Sequence, residues 1–150
     1  LRYFNVYGPG EAHKGAAASM IYQLAEQIRA GKRPRMFKYG EQQRDFVYVK
    51  DVVEATLLAA EANHGGVYNV GSGRSTSFNE VIALLNKALG ADHDPDYFDN
   101  PYPFYQPHTE ADVTRARSEL GYAPRYPIDR GIAEYAKRLM EAGMMQHELS

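Results

Sequence analysis

Cysteine is absent from the 150 residues, which excludes a disulfide framework and thiolate metal sites. The absence fits a reducing compartment, and a cytoplasmic location is expected. Tryptophan is absent too, so aromatic packing and stacking fall to 12 tyrosines and 6 phenylalanines. No apolar run approaches the ~20 residues that a membrane-spanning helix requires, so no membrane partner is expected. Positive charge is not in excess, the formal net charge being -2. Nucleic-acid-binding domains are usually basic on one face, so nucleic acid is not an expected partner. His13, His64, His93, His108 and His147 lack metal-ligand spacing. Asp92, Asp94 and Asp96 lack the glycine and terminal glutamate of a calcium loop, and no metal is expected. A Gly-x-Ser-x-Gly nucleophile elbow is missing. An initial methionine and a leader are missing as well: the sequence opens at Leu1, inside an apolar run. A strand beginning at the first residue is expected of a piece of a larger protein.

What is present suits a folded domain, with 44% hydrophobic and 24% charged residues. Residues 1–7 are aromatic and β-branched and stop at Gly8-Pro9-Gly10, which predicts a strand ending in a turn. Met20, Leu24 and Ile28, with Ile21 beside them, predict a helix over 16–30 that Gly31 and Pro34 end. Short strands are predicted over 36–39 and 45–49. Asp51, with Glu54 three residues on, reads as the N-cap of a helix to about residue 63, with Val52, Val53, Leu57 and Leu58 as its buried stripe. A strand over 67–70 follows Gly65-Gly66. Ser77 and Glu80 form a full capping box for a helix over 78–89 that Gly90 ends. Residues 92–108 are rich in Pro, Asp and aromatics and hold one short strand, 96–98; such irregular segments are often functional. Two helices, over 112–120 and 128–142, precede a tail, 143–150, expected to fray. Alternating strands and helices predict an α/β or α+β fold. The strands over 1–7 and 67–70 are expected to join a sheet whose other strands this sequence does not hold.

Four features bear on chemistry. Gly71-Ser72-Gly73-Arg74-Ser75-Thr76 lies between a strand and a helix, which is two-thirds of a dinucleotide fingerprint. Thr76 replaces the third glycine and no acidic residue ends a second strand about twenty positions on, so a strand-to-helix turn near a ligand is favoured over a phosphate loop. In His13-Lys14-Gly15 the lysine can bind phosphate as a point charge or act as an acid/base, although spacing alone favours a solvated loop lysine. Arg33, Arg35, Lys38 and Arg44 read either as a diphosphate clamp or as surface charge, since guanidinium forks match phosphate oxygens. Phe37, Tyr39, Tyr102, Phe104 and Tyr105 can stack on a base or sugar ring. Core packing is their default role, and is less natural for residues 102–105 in a Pro-rich loop.

Three stretches resemble, in order and spacing, the extended short-chain dehydrogenase/reductase family of nucleotide-sugar enzymes. They are Arg2-Tyr3-Phe4-Asn5-Val6-Tyr7-Gly8-Pro9, Arg44-Asp45-Phe46-Val47-Tyr48-Val49-Lys50-Asp51-Val52-Val53 and Tyr68-Asn69-Val70-Gly71-Ser72-Gly73. The resemblance extends to about residue 139. Within the family, Gly10-Glu11-Ala12-His13-Lys14-Gly15 is similar to the branch that epimerises an ADP-heptose of lipopolysaccharide core synthesis at C6.

The resemblance implies an α/β fold made of the last strands of a Rossmann sheet plus a smaller α/β substrate-binding domain. Residues 1–10 and about 45–75 fall in the first, about 13–40 and 76–142 in the second. The family's Gly-rich dinucleotide loop and Tyr-x-x-x-Lys pair, carried on an N-terminal half, have no counterpart here, so these residues alone are expected to be inactive. NAD or NADP is the implied cofactor, ADP-heptose the implied substrate, and a homo-oligomer the implied full-length assembly. Lys14 matches the family's second acid/base and, with Val6, a cofactor contact. Asn5, Ala16, Gln23, Phe37, Lys38, Tyr39, Gly40, Arg44 and Tyr105 match substrate contacts, with 37–40 around the ADP part and Arg44 on phosphate. Ala16 stands where serine is common, and Gln23 where a histidine is known. Another nucleotide-sugar epimerase, dehydratase or reductase is the alternative, as is a non-catalytic nucleotide-sugar binding module.

Overall fold

The computed structural model describes the backbone of residues 1–148 and the side chains of residues 1–143. The opening apolar run is extended but serves two partners. A strand's alternate amides point to opposite edges. Arg2 and Phe4 donate to the carbonyls of Tyr68 and Val70, at 2.8 and 3.0 Å. β1 (Arg2–Tyr3) therefore pairs parallel with β5 (Asn69–Val70), so the two runs expected to join strands outside this sequence pair with each other. β2 (Asn5–Tyr7) pairs parallel with β4 (Gln43–Tyr48), in the register Val6 to Val47. The first half of β4 also pairs antiparallel with β6 (Ser75–Ser77), a strand the sequence reading did not anticipate. β3 (Arg35–Phe37) pairs parallel with β7 (Asp96–Phe98) as a separate ribbon.

Between β2 and the first long helix the chain makes a 3-10 stretch, Ala12–Ala17, broken at Gly15. The helix α1 (Met20–Arg29) starts later than its small apolar lead-in suggested. The Ser19 hydroxyl accepts from the Tyr22 N–H at 3.1 Å and so sets the start. Ile21, Leu24, Ala25 and Ile28 pack into the larger core with α3 (Phe78–Leu89) and α5 (Ile128–Glu148). Ser77 caps α3 as expected, its hydroxyl accepting from Glu80 N–H at 3.1 Å. The reciprocal half of the capping box is not formed, because the Glu80 carboxylate turns to Arg74 at 3.3 Å. α3 ends at Gly90.

α2 (Val49–Glu61) departs most from its reading. Tyr48 occupies the cap position and Asp51 lies inside the first turn. The buried Asp51 carboxylate accepts from the backbone N–H groups of Arg125 and Tyr126, at 2.8 and 3.0 Å. That contact sets the helix's rotation, because residues four apart share a face. Ala55 is consequently buried, and Val52, Leu58 and Ala59 pack on a second core with α4 (Thr114–Leu120). Val53 and Leu57, expected in the stripe, are 53% and 58% exposed. α4 begins two residues later than expected because Asp112 accepts from Thr114 N–H at 2.9 Å, outside the helix. α5 runs on to Glu148, six residues beyond its expected end. The tail expected to fray over 143–150 is therefore helical as far as 148, and residues 149–150 lie outside the described residues. Among the described residues no helix is long and apolar enough to cross a membrane.

Candidate functional site

β2 and β4 run parallel, and Asn5 and Val6 of the one, with Arg44 and Phe46 of the other, line a cleft of about 830 Å³. Asn5 and Val6 reach it from β2, Lys14 and Ala16 from the 3-10 stretch and Gln23 from α1. Phe37 comes from β3, Arg44 from β4 and Tyr105 from the irregular segment. These eight are the expected site residues that the fold gathers. Lys38 and Tyr39 line a separate hollow of about 290 Å³ that shares Phe37 and Tyr105 as its wall. Gly40 closes the turn between them, its N–H donating to Phe37 carbonyl at 2.8 Å, which reverses the chain away from the larger cleft.

The cleft has two differently built ends. At the strand end, Asn5 Nδ2 donates to the Asp45 carbonyl at 3.0 Å, which fixes its carboxamide. Lys14 is exposed, one turn beyond, its backbone N–H donating to the Glu11 carbonyl at 2.9 Å. Gly15 follows with φ 55° and ψ -125°, a conformation side chains rarely adopt, and no atom lies within 4 Å of where its Cβ would sit. Conformation, not space, calls for glycine there. Gln23 Nε2 is spent on the loop, donating to the Ala16 and Ala18 carbonyls at 3.2 and 2.9 Å.

The far end is aromatic and cationic. Phe37 is its hub, with ring centroids 5.0 Å from Phe98, 6.0 Å from Tyr102 and 5.4 Å from Tyr105. The Arg44 guanidinium lies 4.9 Å over the Tyr105 ring and the Arg35 guanidinium 4.6 Å over Phe98. Both arginines line the cleft. Each also has a partner in the chain, Arg35 pairing with Asp96 at 3.5 Å and Arg44 donating to the Gln43 carbonyl at 2.7 Å, and the other two basic residues weighed as a clamp do not line the cleft. Arg33 donates to the carbonyls of Asp94 and Pro95, at 3.1 and 2.6 Å. Lys38 pairs with Asp99 at 2.8 Å, and that hydrogen bond and charge hold its ammonium above the usual lysine range. Phe104, in the same loop, is 96% exposed and makes no part of the wall.

Two carboxylates organise this region. Asp45 is fully buried and accepts from Ser72 N–H and Oγ, Gly73 N–H and Ala111 N–H, at 2.7 to 3.0 Å. The Gly71-Ser72-Gly73 turn is thus an anion-binding nest whose anion is the chain's own Asp45. A Cβ on Gly71 would fall 2.8 Å from Asp45 Oδ2, so glycine is needed for this approach. The turn is structural, and the phosphate-loop alternative does not hold. Glu11, the other carboxylate, is buried behind the Lys14 turn and was not singled out from the sequence. Arg35 was weighed only as one of four cations. The one hint for Glu11 was an acid flanked by Gly10 and Ala12 in an otherwise small-residue loop.

Residues 1–71 match the profile of the NAD dependent epimerase/dehydratase family. These residues belong to that family. The rest of the chain is tied to it by solved structures. ADP-L-glycero-D-manno-heptose-6-epimerase of Helicobacter pylori is 42% identical, with a TM-score of 0.86 over 93% of this chain and 43% of that one. UDP-glucose 4-epimerase of Thermotoga maritima, solved with UDP-glucose, is 34% identical, with a TM-score of 0.87 over 95% and 45%. UDP-glucuronic acid 4-epimerase of Bacillus cereus, solved with UDP-glucuronic acid and NAD, is 29% identical, with a TM-score of 0.78 over 93% and 45%. The chain spans less than half the length of these solved chains. The fold class is the expected one, a partial Rossmann-type α/β arrangement shared with extended short-chain epimerases.

Within the matched residues 1–71, those at the end of β2 fit one wall of a nicotinamide site. Val6, Gly8, Pro9, Gly10, Glu11, Lys14 and Val49 enclose a small cleft where β2 leaves the sheet. Crevices at the carboxyl ends of parallel strands are where α/β proteins take dinucleotides. Gly8 lets the backbone lie flat here, since a Cβ would fall 2.5 Å from Val49 Cγ1. A phosphate-binding glycine turn is not part of this wall, the Gly71-Ser72-Gly73 nest being filled by Asp45.

Proposed function

We propose that this chain is the substrate-binding portion of a nucleotide-sugar epimerase, and that the whole enzyme interconverts ADP-D-glycero-D-manno-heptose and ADP-L-glycero-D-manno-heptose at C6. One observation carries the proposal. A single cleft joins Lys14 and Asn5 to two arginines and an aromatic wall. That is the shape of a sugar diphosphate nucleotide, with the reacting carbon at one end. Likeness to the Helicobacter pylori enzyme supports the choice of sugar. Residues 1–10 and about 45–75 belong, on this proposal, to a Rossmann sheet completed by an N-terminal half. The exposed apolar side chains of Leu1, Tyr3, Val53 and Leu57 support that division. Residues of about 13–40 and 76–142 form the substrate domain.

A sugar carbinol C–H is too weakly acidic for a side chain to remove as a proton. Bound NAD or NADP supplies the hydride chemistry that makes the carbon exchangeable. The chain's own residues do the rest. Lys14 Nζ exchanges a proton with the sugar hydroxyl oxygen on one face, and a group on the N-terminal half does so on the other. Asn5, held through Nδ2, presents its carboxamide oxygen to a sugar hydroxyl. Arg44 and Arg35 hold the diphosphate, and the rings of Phe37, Phe98 and Tyr105 exclude water around the nucleoside.

Assay of the full-length protein against ADP-D-glycero-D-manno-heptose, UDP-glucose and dTDP-glucose tests this. Turnover confined to the ADP-heptose is expected. Turnover of UDP-glucose instead would move the chain to the second reading, a UDP-sugar epimerase, which the Thermotoga maritima match favours. Arg44→Ala should raise KM about 10-fold with kcat nearly unchanged, because a charge-assisted phosphate contact is made in ground and transition states alike. A loss confined to kcat would contradict the assignment.

A further inference from the structure

The stretch from Gly8 to Ser19, which carries Lys14, is closed on itself by one carboxylate. Glu11 Oε1 accepts from Gly8 N–H at 3.3 Å and from Ser19 Oγ at 2.9 Å, and Oε2 accepts from Ser19 N–H at 2.6 Å. Ser19 in turn caps α1. Both ends of the excursion between β2 and α1 are thus pinned to the same side chain. The Lys14 N–H hangs from the Glu11 backbone carbonyl, one turn from the clasp. A fourth donor comes from far along the chain: Tyr135 hydroxyl, on α5, reaches Glu11 Oε1 at 2.9 Å. Burial and the Glu11 carboxylate both push the Tyr135 pKa up, so the phenol stays protonated and keeps donating. The Tyr135 ring also packs 6.2 Å from Tyr7, at the end of β2.

We infer that Glu11 is a positioning residue for Lys14, and that α5 takes part in the site through the Tyr135 hydroxyl. The inference rests on the proposed epimerase reading for its kinetic consequence, though not for its geometry. A buried carboxylate is costly unless its lone pairs are satisfied, and here each donor fixes the loop. Among the described residues the exposed 3-10 turn has one other side-chain anchor, Gln23 Nε2 on the Ala16 carbonyl at 3.2 Å, and no second carboxylate holds it. Without the clasp, the Lys14 ammonium would sample many positions over the cleft, and misplacement of a reacting group by about an ångström costs up to about 100-fold in rate.

Three variants of the full-length enzyme separate positioning from simple stapling. Tyr135→Phe keeps the ring and removes one hydrogen bond. Glu11→Gln keeps the shape but sets an amide N–H₂ against existing donors. Asp51→Asn is the control: it loosens an equally buried carboxylate that holds the 125–126 backbone, away from the cleft. Melting temperature, kcat, KM and the rate of tryptic cleavage after Lys14 are measured for each. Tyr135→Phe is expected to lower kcat about 10-fold with KM within about two-fold, and to speed cleavage at Lys14; Glu11→Gln should do more of both. Asp51→Asn should lower the melting temperature and leave kcat and Lys14 cleavage as in the wild type. If both clasp variants lose melting temperature while kcat and Lys14 cleavage stay unchanged, Glu11 is only a staple and the inference falls. If Glu11→Gln does not fold, Tyr135→Phe decides alone. If the wild type turns over no nucleotide sugar, the epimerase reading fails separately, and the cleavage rates still uphold or overturn the clasp.

Discussion

Lys14→Met in the full-length enzyme is expected to lower kcat by about 100-fold or more, the usual scale for removing a general acid or base. Methionine keeps an unbranched apolar stem and removes only the ammonium. Lys14 is exposed, and its turn is held by backbone and by Glu11, not by its own side chain. The melting temperature should therefore not move, which excludes unfolding as the cause of lost turnover. KM for the nucleotide sugar should stay within about two-fold, because binding is assigned to the arginine and aromatic end of the cleft. Arg44→Ala is the mirror image, with KM raised and kcat kept, so the pair divides the cleft into a reacting end and a holding end. Near wild-type turnover by Lys14→Met, with substrate binding intact, would remove Lys14 from the chemistry.

The sequence showed most clearly what depends on local chemistry and family pattern. The runs 1–7 and 67–70 were legible as strands because both are short and apolar, but not as each other's partners, and β1 and β5 pair. The Ser77 cap and the Gly90 stop were legible because each acts within one turn of helix. What a buried polar contact decides was not legible. The rotation of α2 is set by Asp51 reaching residues 125–126, more than seventy positions away, and no periodicity in 51–58 records that contact. The same holds for the site. Lys14, Asn5 and Arg44 were named through the family pattern and share one cleft, whereas Lys38 and Tyr39, named with Phe37 through the same pattern, do not line it. The turn at Gly40 sends them to the neighbouring hollow. Glu11 was passed over because an acid in a loop reads as solvated until Tyr135 and Ser19 are seen to reach it.

Asp45→Ala is expected to be the most damaging single change to the fold, at about 3–5 kcal/mol. Four donors would lose their acceptor in a site that admits no solvent to Asp45: two on Ser72, one on Gly73 and one on Ala111. For a chain of this size that corresponds to a fall of about 10 °C in melting temperature. Asp45→Asn should recover part of it, since its carbonyl oxygen can still accept while its amide meets donors. The loss would spread to the cleft. β6 follows the nest directly and pairs Thr76 with Arg44, so a loosened nest frees the strand that backs Arg44. Asp45 carbonyl also anchors Asn5. The nest itself offers a separate check on the cause. With the carboxylate removed, three backbone N–H groups and a hydroxyl converge on an anion-sized vacancy. Added inorganic phosphate should then raise the melting temperature of Asp45→Ala more than that of the wild type, whose nest is filled. Equal shifts in both proteins would show that the lost stability comes from something other than an unfilled anion site.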